Sequence, residues 1–123
     1  MITTNLTYTQ KIIVRKKDTA LEMGSGSLEV FATPAMVALM ENTSVRCIAE
    51  NIEKGSDTVG ILISTSHIKA TGIGCKVWCK STVINVEGKK ISFEIEAWDE
   101  KGKIGVATHE RYIINPEKFM AKL

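Results

Sequence analysis

The chain has 123 residues, enough for one domain with its own hydrophobic core. Hydrophobic residues make up 44% and charged residues 24%, an ordinary globular composition, and the net charge of +2 argues against a nucleic-acid partner while leaving room for a local basic patch. No apolar run approaches the ~18 residues that span a bilayer, and the opening MITTNLTYTQK lacks the apolar stretch of a signal peptide, so a cytoplasmic protein without a membrane partner is expected.

In chain order, residues 8–15 (YTQKIIVR) read as a first strand, 16–26 (KKDTALEMGSG) as a mobile loop, and 27–31 (SLEVF) as a short strand. Thr33-Pro34 then signals a helix start, with Thr as the N-cap and Pro at the first helical position. The spacing predicts a helix from Pro34 to about Glu53, ending before Gly55. With Val37 at zero on a 100° wheel, Ile48, Ile52 and Val45 fall within about 80° of it, and Asn42, Arg46, Glu50 and Glu53 lie opposite. The rest reads as an antiparallel meander. Val59, Ile61 and Ile63 alternate toward His67. Ile73, Cys75, Val77, Cys79 and Val83 alternate in the next run, and Ile91, Phe93, Ile95 and Ala97 in the third. Ile104, Val106, Tyr112 and Ile114 share one parity of the last. Turns fall at Ala70-Thr71-Gly72, Glu87-Gly88-Lys89 and Asp99-Glu100-Lys101-Gly102. One long helix followed by four long strands implies an α+β fold, an antiparallel sheet wrapped on a central helix, over residues 1–123.

Cys75 and Cys79 would stand about 13 Å apart on one strand face, at ~3.3 Å per residue, too far for a disulfide. With the odd count of three cysteines, structural thiols are expected.

Glu41 is the most informative residue. It falls at about 40° on the wheel, inside the stripe formed by Val37, Ile48, Ile52 and Val45. An unpaired carboxylate there would cost several kcal/mol. Glu41 therefore needs a partner, a raised pKa or access to a ligand, and a purely structural Glu bonded to the sheet is the competing reading. His67 shares the parity of Val59, Ile61 and Ile63, which suits either a packed core histidine or a site residue. His109 shares the parity of Lys103 and Arg111 and is expected outside or at an edge. Thr33 is explained by capping alone, although a helix N-terminus also offers free amides to an anion. Gly60, in a strand of β-branched residues, marks a close backbone approach or simply packing room. Arg111 can bind a phosphate or carboxylate, or remain a solvated strand charge.

Taken together, Ala32-Thr33-Pro34, Glu41 eight residues after Thr33, and then His67 resemble the fluoroacetyl-CoA thioesterase-like family of the hot-dog superfamily. The resemblance covers roughly residues 8–115. It implies a hot-dog fold, a homodimer paired edge to edge with the site at the interface, and hydrolysis of an acyl-CoA thioester. It implies Thr33, Glu41 and His67 as the catalytic set, with Gly60 and Arg111 in substrate binding. Fluoroacetyl-specific members use aromatic side chains in the lid before the helix. Here that stretch, Leu21 to Ser27, has none before Phe31, so fluoroacetyl-CoA is not expected as the substrate.

In such a reaction Glu41 acts as nucleophile or as general base toward water. Thr33 orients Glu41 or the carbonyl. His67 supports Glu41 or protonates the leaving thiolate. A thiolate leaves readily, so neither a metal nor a cofactor is required, coenzyme A entering as part of the substrate. Lys76, Lys80, Lys89 and Lys90 are candidates for its phosphates, or else a solvated face. A hot-dog hydratase or dehydratase, and a non-catalytic acyl-CoA-binding module, are the alternatives. Eight helical residues rise about 12 Å, too far for Thr33 and Glu41 to meet along a straight helix. A site built from two protomers is therefore favoured over one built in a single chain.

Overall fold

The computed structural model describes all 123 residues. Strand β1 (Thr7–Ile13) is followed by a 3-10 turn (Lys16–Asp18), a short helix α1 (Ala20–Met23) and the long helix α2 (Thr33–Ile48). Strands β2 (Asp57–His67), β3 (Lys76–Glu87), β4 (Lys90–Asp99) and β5 (Gly102–Ile114) follow, and helix α3 (Pro116–Ala121) ends the chain. The five strands form one antiparallel sheet in the order β1-β3-β4-β5-β2. This is the expected α+β architecture, with the sheet curled around α2.

Two connections are two-residue hairpins. Glu87 pairs with Lys90 across Gly88-Lys89, and Asp99 pairs with Gly102 across Glu100-Lys101. Alternation in β4 places Ile91, Phe93, Ile95 and Ala97 in the core and leaves Glu94 and Glu96 outside. Helix α2 lays Met36, Leu39, Met40, Cys47 and Ile48 against Val77, Cys79 and Val83 of β3 and the inner face of β4. Each such side chain contributes about 1.5–3 kcal/mol by leaving water.

Several expectations are corrected. Helix α2 ends at Ile48, and residues 16–26 are not a simple loop. Thr19 caps α1 by accepting from the Glu22 amide, Gly24 closes it in the left-handed region (φ 73°), and the Ser25 amide donates to the Ala20 carbonyl. Residues 27–31 form no strand but two isolated bridges, Thr19 with Phe31 and Val30 with Gly72.

The buried face of α2 is centred on Met36, Met40, Thr43 and Cys47, not on the stripe through Val37 and Val45. Its polar members are satisfied in place. Thr43 donates to the Leu39 carbonyl, and Ser44 meets Ser81 Oγ at 2.8 Å. Glu41 therefore lies on the flank of the buried face, with its side chain 40% exposed, and not at its centre.

Strands β2 and β5 depart from simple alternation because each carries a bulge. Register shifts between Gly60 and Leu62 in β2, leaving Ile61 as the extra residue. It shifts again where Ala97 pairs with Gly105 and Trp98 with Lys103, leaving Ile104 extra in β5. Past that bulge the inward parity is Gly105, Ala107, His109 and Arg111, while Val106 and Tyr112 face out. His109, expected outside, is therefore 1% exposed.

Candidate functional site

The expected site residues form two groups along α2. At the helix start, Thr33 Oγ1 lies 2.8 Å from His67 Nδ1. Thr33 is the first helical residue, Ala32 holds the cap position, and no side chain caps the helix. The Thr33 hydroxyl is thus directed to His67 and not to the backbone. Helix and strand approach closely here because Gly105, paired with His67, has no side chain. A Cβ on Gly105 would stand 2.6 Å from Met36 Sδ. Phe31 packs its ring edge-on to His67, centroids 6.3 Å apart.

His67 Nε2 is buried and makes no hydrogen bond. Burial lowers the pKa of the ring, and a weaker polar contact with the Lys69 backbone opposes this. A cleft of about 230 Å³ opens beside it, bordered by Ala20, Ser25, Phe31, Thr33, His67 and Ala70. Ser25 brings the Gly24–Ser27 turn to this cleft. Glu41 does not line it.

The second group lies two helical turns on. Glu41 Oε2 is 3.6 Å from Arg111 NH1. Gly60, paired with Arg111 across the sheet, sits under both groups. A Cβ there would come within 2.9 Å of Glu41 Oε2 and 3.2 Å of Arg111 NH1. The close approach expected of Gly60 is thus an approach to Glu41 itself. Arg111 is buried and not a solvated charge. Its Nε donates to Thr58 Oγ1 at 2.9 Å and its NH2 to the Thr58 carbonyl at 3.1 Å. Burial weakens its hold on the proton, while Glu41 and Asp57 strengthen it.

Thr33 meets His67, and Glu41 meets Arg111 over Gly60. The two groups do not join within one protomer. Between Thr33 and Glu41 the helix rises about 12 Å. Between Gly60 and His67 the strand spans on the order of 20 Å.

Two further residues matter here: His109, which the sequence reading placed outside or at an edge, and Asp99, which it placed only in a turn. His109 stands behind Arg111, hidden by the β5 bulge. Asp99 accepts from Lys69 Nζ at 2.6 Å, Thr71 Oγ1 at 2.9 Å and the Lys101 amide at 2.8 Å. The Thr71 carbonyl in turn receives the Phe31 amide at 2.8 Å. Asp99 thereby braces the segment that carries Phe31 to Thr33. Its place in a hairpin turn was legible, but its partners were not.

Residues 14–117 match the family described as fluoroacetyl-CoA-specific thioesterase. A fluoroacetyl-CoA thioesterase from Streptantibioticus cattleyicolor is 42% identical over 95 residues, 77% of this chain and 68% of that protein. A single-residue variant of the fluoroacetyl-CoA-specific thioesterase, solved in complex with fluoroacetate and CoA, superposes with a TM-score of 0.91 at 33% identity. That match covers 96% of this chain and 99% of the other. A thioesterase superfamily member from Thermus thermophilus superposes at 0.90 with 25% identity, covering 98% of this chain and 90% of its own. The chain belongs to the fluoroacetyl-CoA-specific thioesterase family and is a thioester hydrolase of the hot-dog fold.

Proposed function

We propose that this acyl-CoA thioesterase works as a homodimer, with each site combining Thr33 and His67 of one protomer with Glu41, Gly60 and Arg111 of the other. The observation that carries the reading is the Thr33–His67 pair, whose free Nε2 is buried beside an open cleft while Glu41 waits elsewhere on the same helix.

Strand β2 is one of the two edge strands of the sheet, and it presents Ile61 and Leu62, 51% and 49% exposed. An edge of this kind favours a partner strand. Antiparallel pairing of two β2 strands about their middle sets the Gly60 end of one beside the His67 end of the other. The helices run antiparallel to their own β2, so Glu41 is brought toward the partner's helix start. The two half-sites then form one.

In that site the Glu41 carboxylate, held by Arg111, activates water or attacks the thioester carbonyl itself. The free amides of the first turn of α2 face the developing oxyanion, and Thr33, donating to His67 Nδ1, keeps the ring's hydrogen on Nε2. His67 Nε2 gives a proton to the leaving sulfur and regains one from the water that is consumed. With Glu41 as base, water adds to the carbonyl carbon and the carbon–sulfur bond breaks; with Glu41 as nucleophile, that bond breaks as a Glu41 anhydride forms, and water then opens the anhydride at the glutamyl carbonyl. Either way a free acid and the CoA thiol result. Gly60 leaves room for the acyl group beside Glu41, and Arg111 closes that wall. No metal or cofactor is needed beyond the coenzyme A of the substrate. No helix is long and apolar enough to cross a membrane. We place the enzyme in the cytoplasm, which suits its three free thiols. The turn at Ser25 is small and polar where an aromatic lid would sit, which favours an acyl group other than fluoroacetyl.

Thiol release from a panel of acyl-CoA thioesters tests the activity. Hydration of an enoyl-CoA without thiol release, or binding alone, would reject it. Glu41→Gln should lower kcat by at least ~100-fold, the scale of a lost general base, with the dimer intact. Single-turnover hydrolysis in heavy-oxygen water separates the two Glu41 roles, because only nucleophilic attack leaves label on the protein.

A further inference from the structure

His109 has no place in the chemistry just described, yet it is among the most buried side chains of the protein. Its ring stacks on Phe93 with centroids 5.8 Å apart. Nδ1 lies 2.7 Å from the Leu62 carbonyl oxygen, and Nε2 lies 3.2 Å from Arg111 NH1. A carbonyl only accepts and a guanidinium only donates. Nδ1 therefore carries the hydrogen, and Nε2 offers its lone pair to Arg111. The two contacts together require a neutral ring.

Leu62 is the first residue past the β2 bulge, and Gly60 is the last before it. The Leu62 bond thus anchors the bulge that turns Gly60 toward Glu41. At its other nitrogen the ring receives the same NH1 group that faces Glu41 Oε2. The remaining donors of Arg111 are directed largely to Thr58. One imidazole thus joins the bulge under the glycine, the guanidinium and, through it, the carboxylate.

We propose that His109 is a positioning residue for Glu41, tying the β2 bulge to Arg111 as a neutral imidazole and so fixing the guanidinium against the carboxylate over Gly60. This rests on the thioesterase reading of the site. Protonation of the ring would remove the acceptor and set a second cation against Arg111. The charged groups facing it are Arg111 and Glu110 of β5 and Glu41 of α2, while Phe93 of β4 contributes no charge. Burial lowers its pKa, the Leu62 carbonyl opposes this, Arg111 lowers it further, and the two glutamates work against that. The tie therefore holds at neutral pH and opens on the acid side.

The test combines kinetics with nitrogen and proton NMR of the imidazoles, a clean measurement because the chain has only two histidines. His109→Leu removes both bonds, whereas His109→Gln keeps one donor and one acceptor. The Leu variant is expected to lose kcat at least about tenfold with KM within about twofold, and the Gln variant to recover most of it, on the scale of a lost orienting contact. The wild-type ring should show the Nδ1–H tautomer and titrate below the ordinary histidine value, with kcat and the Arg111 Nε–H signal lost in the same acid range. A folded Leu variant with wild-type kcat, or a ring already protonated where kcat is full, would overturn the proposal. Should the Leu variant not fold, the wild-type titration decides. A wild type without thiol release would reject the thioesterase reading, and the NMR would still show whether His109 holds Arg111.

Discussion

Thr33 Oγ1 is 2.8 Å from His67 Nδ1, and the helix that Thr33 begins has no side-chain cap. A threonine at the cap, one position earlier, would turn its hydroxyl to the backbone amides of the first turn. Here it reaches across to a strand instead, and the ring it meets keeps its other nitrogen free. Thr33→Ala should therefore cost little stability, less than the ~1 kcal/mol typical of a lost cap. It should lower kcat by at least about tenfold, the scale of a lost orienting contact. Thr33→Ser should keep both. Thermal melts and kcat for the two variants check this. A melting point that drops while kcat holds would return Thr33 to a capping role.

Gly60→Ala separates activity from stability in a different way. The added Cβ meets Glu41 Oε2 at 2.9 Å and Arg111 NH1 at 3.2 Å, both at the ends of long side chains that can give way. The fold should survive and the carboxylate should move. Misplacement of about 1 Å can cost on the order of 100-fold in rate. Steady-state kinetics on the best thioester of the panel would show it, and undiminished kcat would mean that Glu41 does not react from its place over Gly60.

Asp99 braces the Thr33–His67 end of the site through Lys69 and Thr71. Asp99→Asn weakens its bonds to Lys69, Thr71 and the Lys101 amide, each worth on the order of 1 kcal/mol. The melting point should fall, and KM and kcat should change together as the Phe31–Thr33 segment loosens. Kinetics indistinguishable from wild type at a lowered melting point would limit Asp99 to stability.

Acid should weaken the fold in two stages. His67 and His109 both titrate below the ordinary value of 6.5, chiefly because they are buried. The unfolded chain takes up their protons first, so stability falls as pH drops below about 6.5. For Asp99 burial would raise the pKa, but bonds from Lys69, the Lys101 amide and Thr71 outweigh it and hold it below the ordinary 3.8. Its contribution persists above that value and is lost as pH falls further, through the folded pKa. Melts between pH 8 and pH 3 should show a flat region, a decline and then a steeper decline. A melting point that rises on acidification below pH 6.5 would contradict this.

The parts of the fold governed by simple period were legible in the residues. Ile91, Phe93, Ile95 and Ala97 point inward as alternation requires, and both hairpins fall where Gly88 and Gly102 signalled them. Strands β2 and β5 were misread because a bulge moves side chains to the other face, and Ile61 and Ile104 look like ordinary strand residues. That misreading also hid His109. The wheel for α2 failed differently. Two of the helix's seven buried residues, Thr43 and Ser44, are polar and concealed the true face, so the apolar flank through Val37 and Val45 was taken for the centre. Glu41 was therefore chosen for a burial it has only in part. Its role rests instead on Arg111 and Gly60, partners that no count along one helix could supply.

The two-protomer site is tested most directly by mixing two impaired variants. Thr33→Ala and Glu41→Gln chains are each purified, combined in equal amounts, unfolded and refolded together. In a mixed dimer one composite site carries both substitutions and the other carries neither. Random pairing makes half of the dimers mixed, so activity should return to about a quarter of the wild-type level, as two-fold symmetry requires. A mixture no more active than its separate components, with mixed dimers confirmed by native mass spectrometry, would show that Thr33 and Glu41 do not act across the interface.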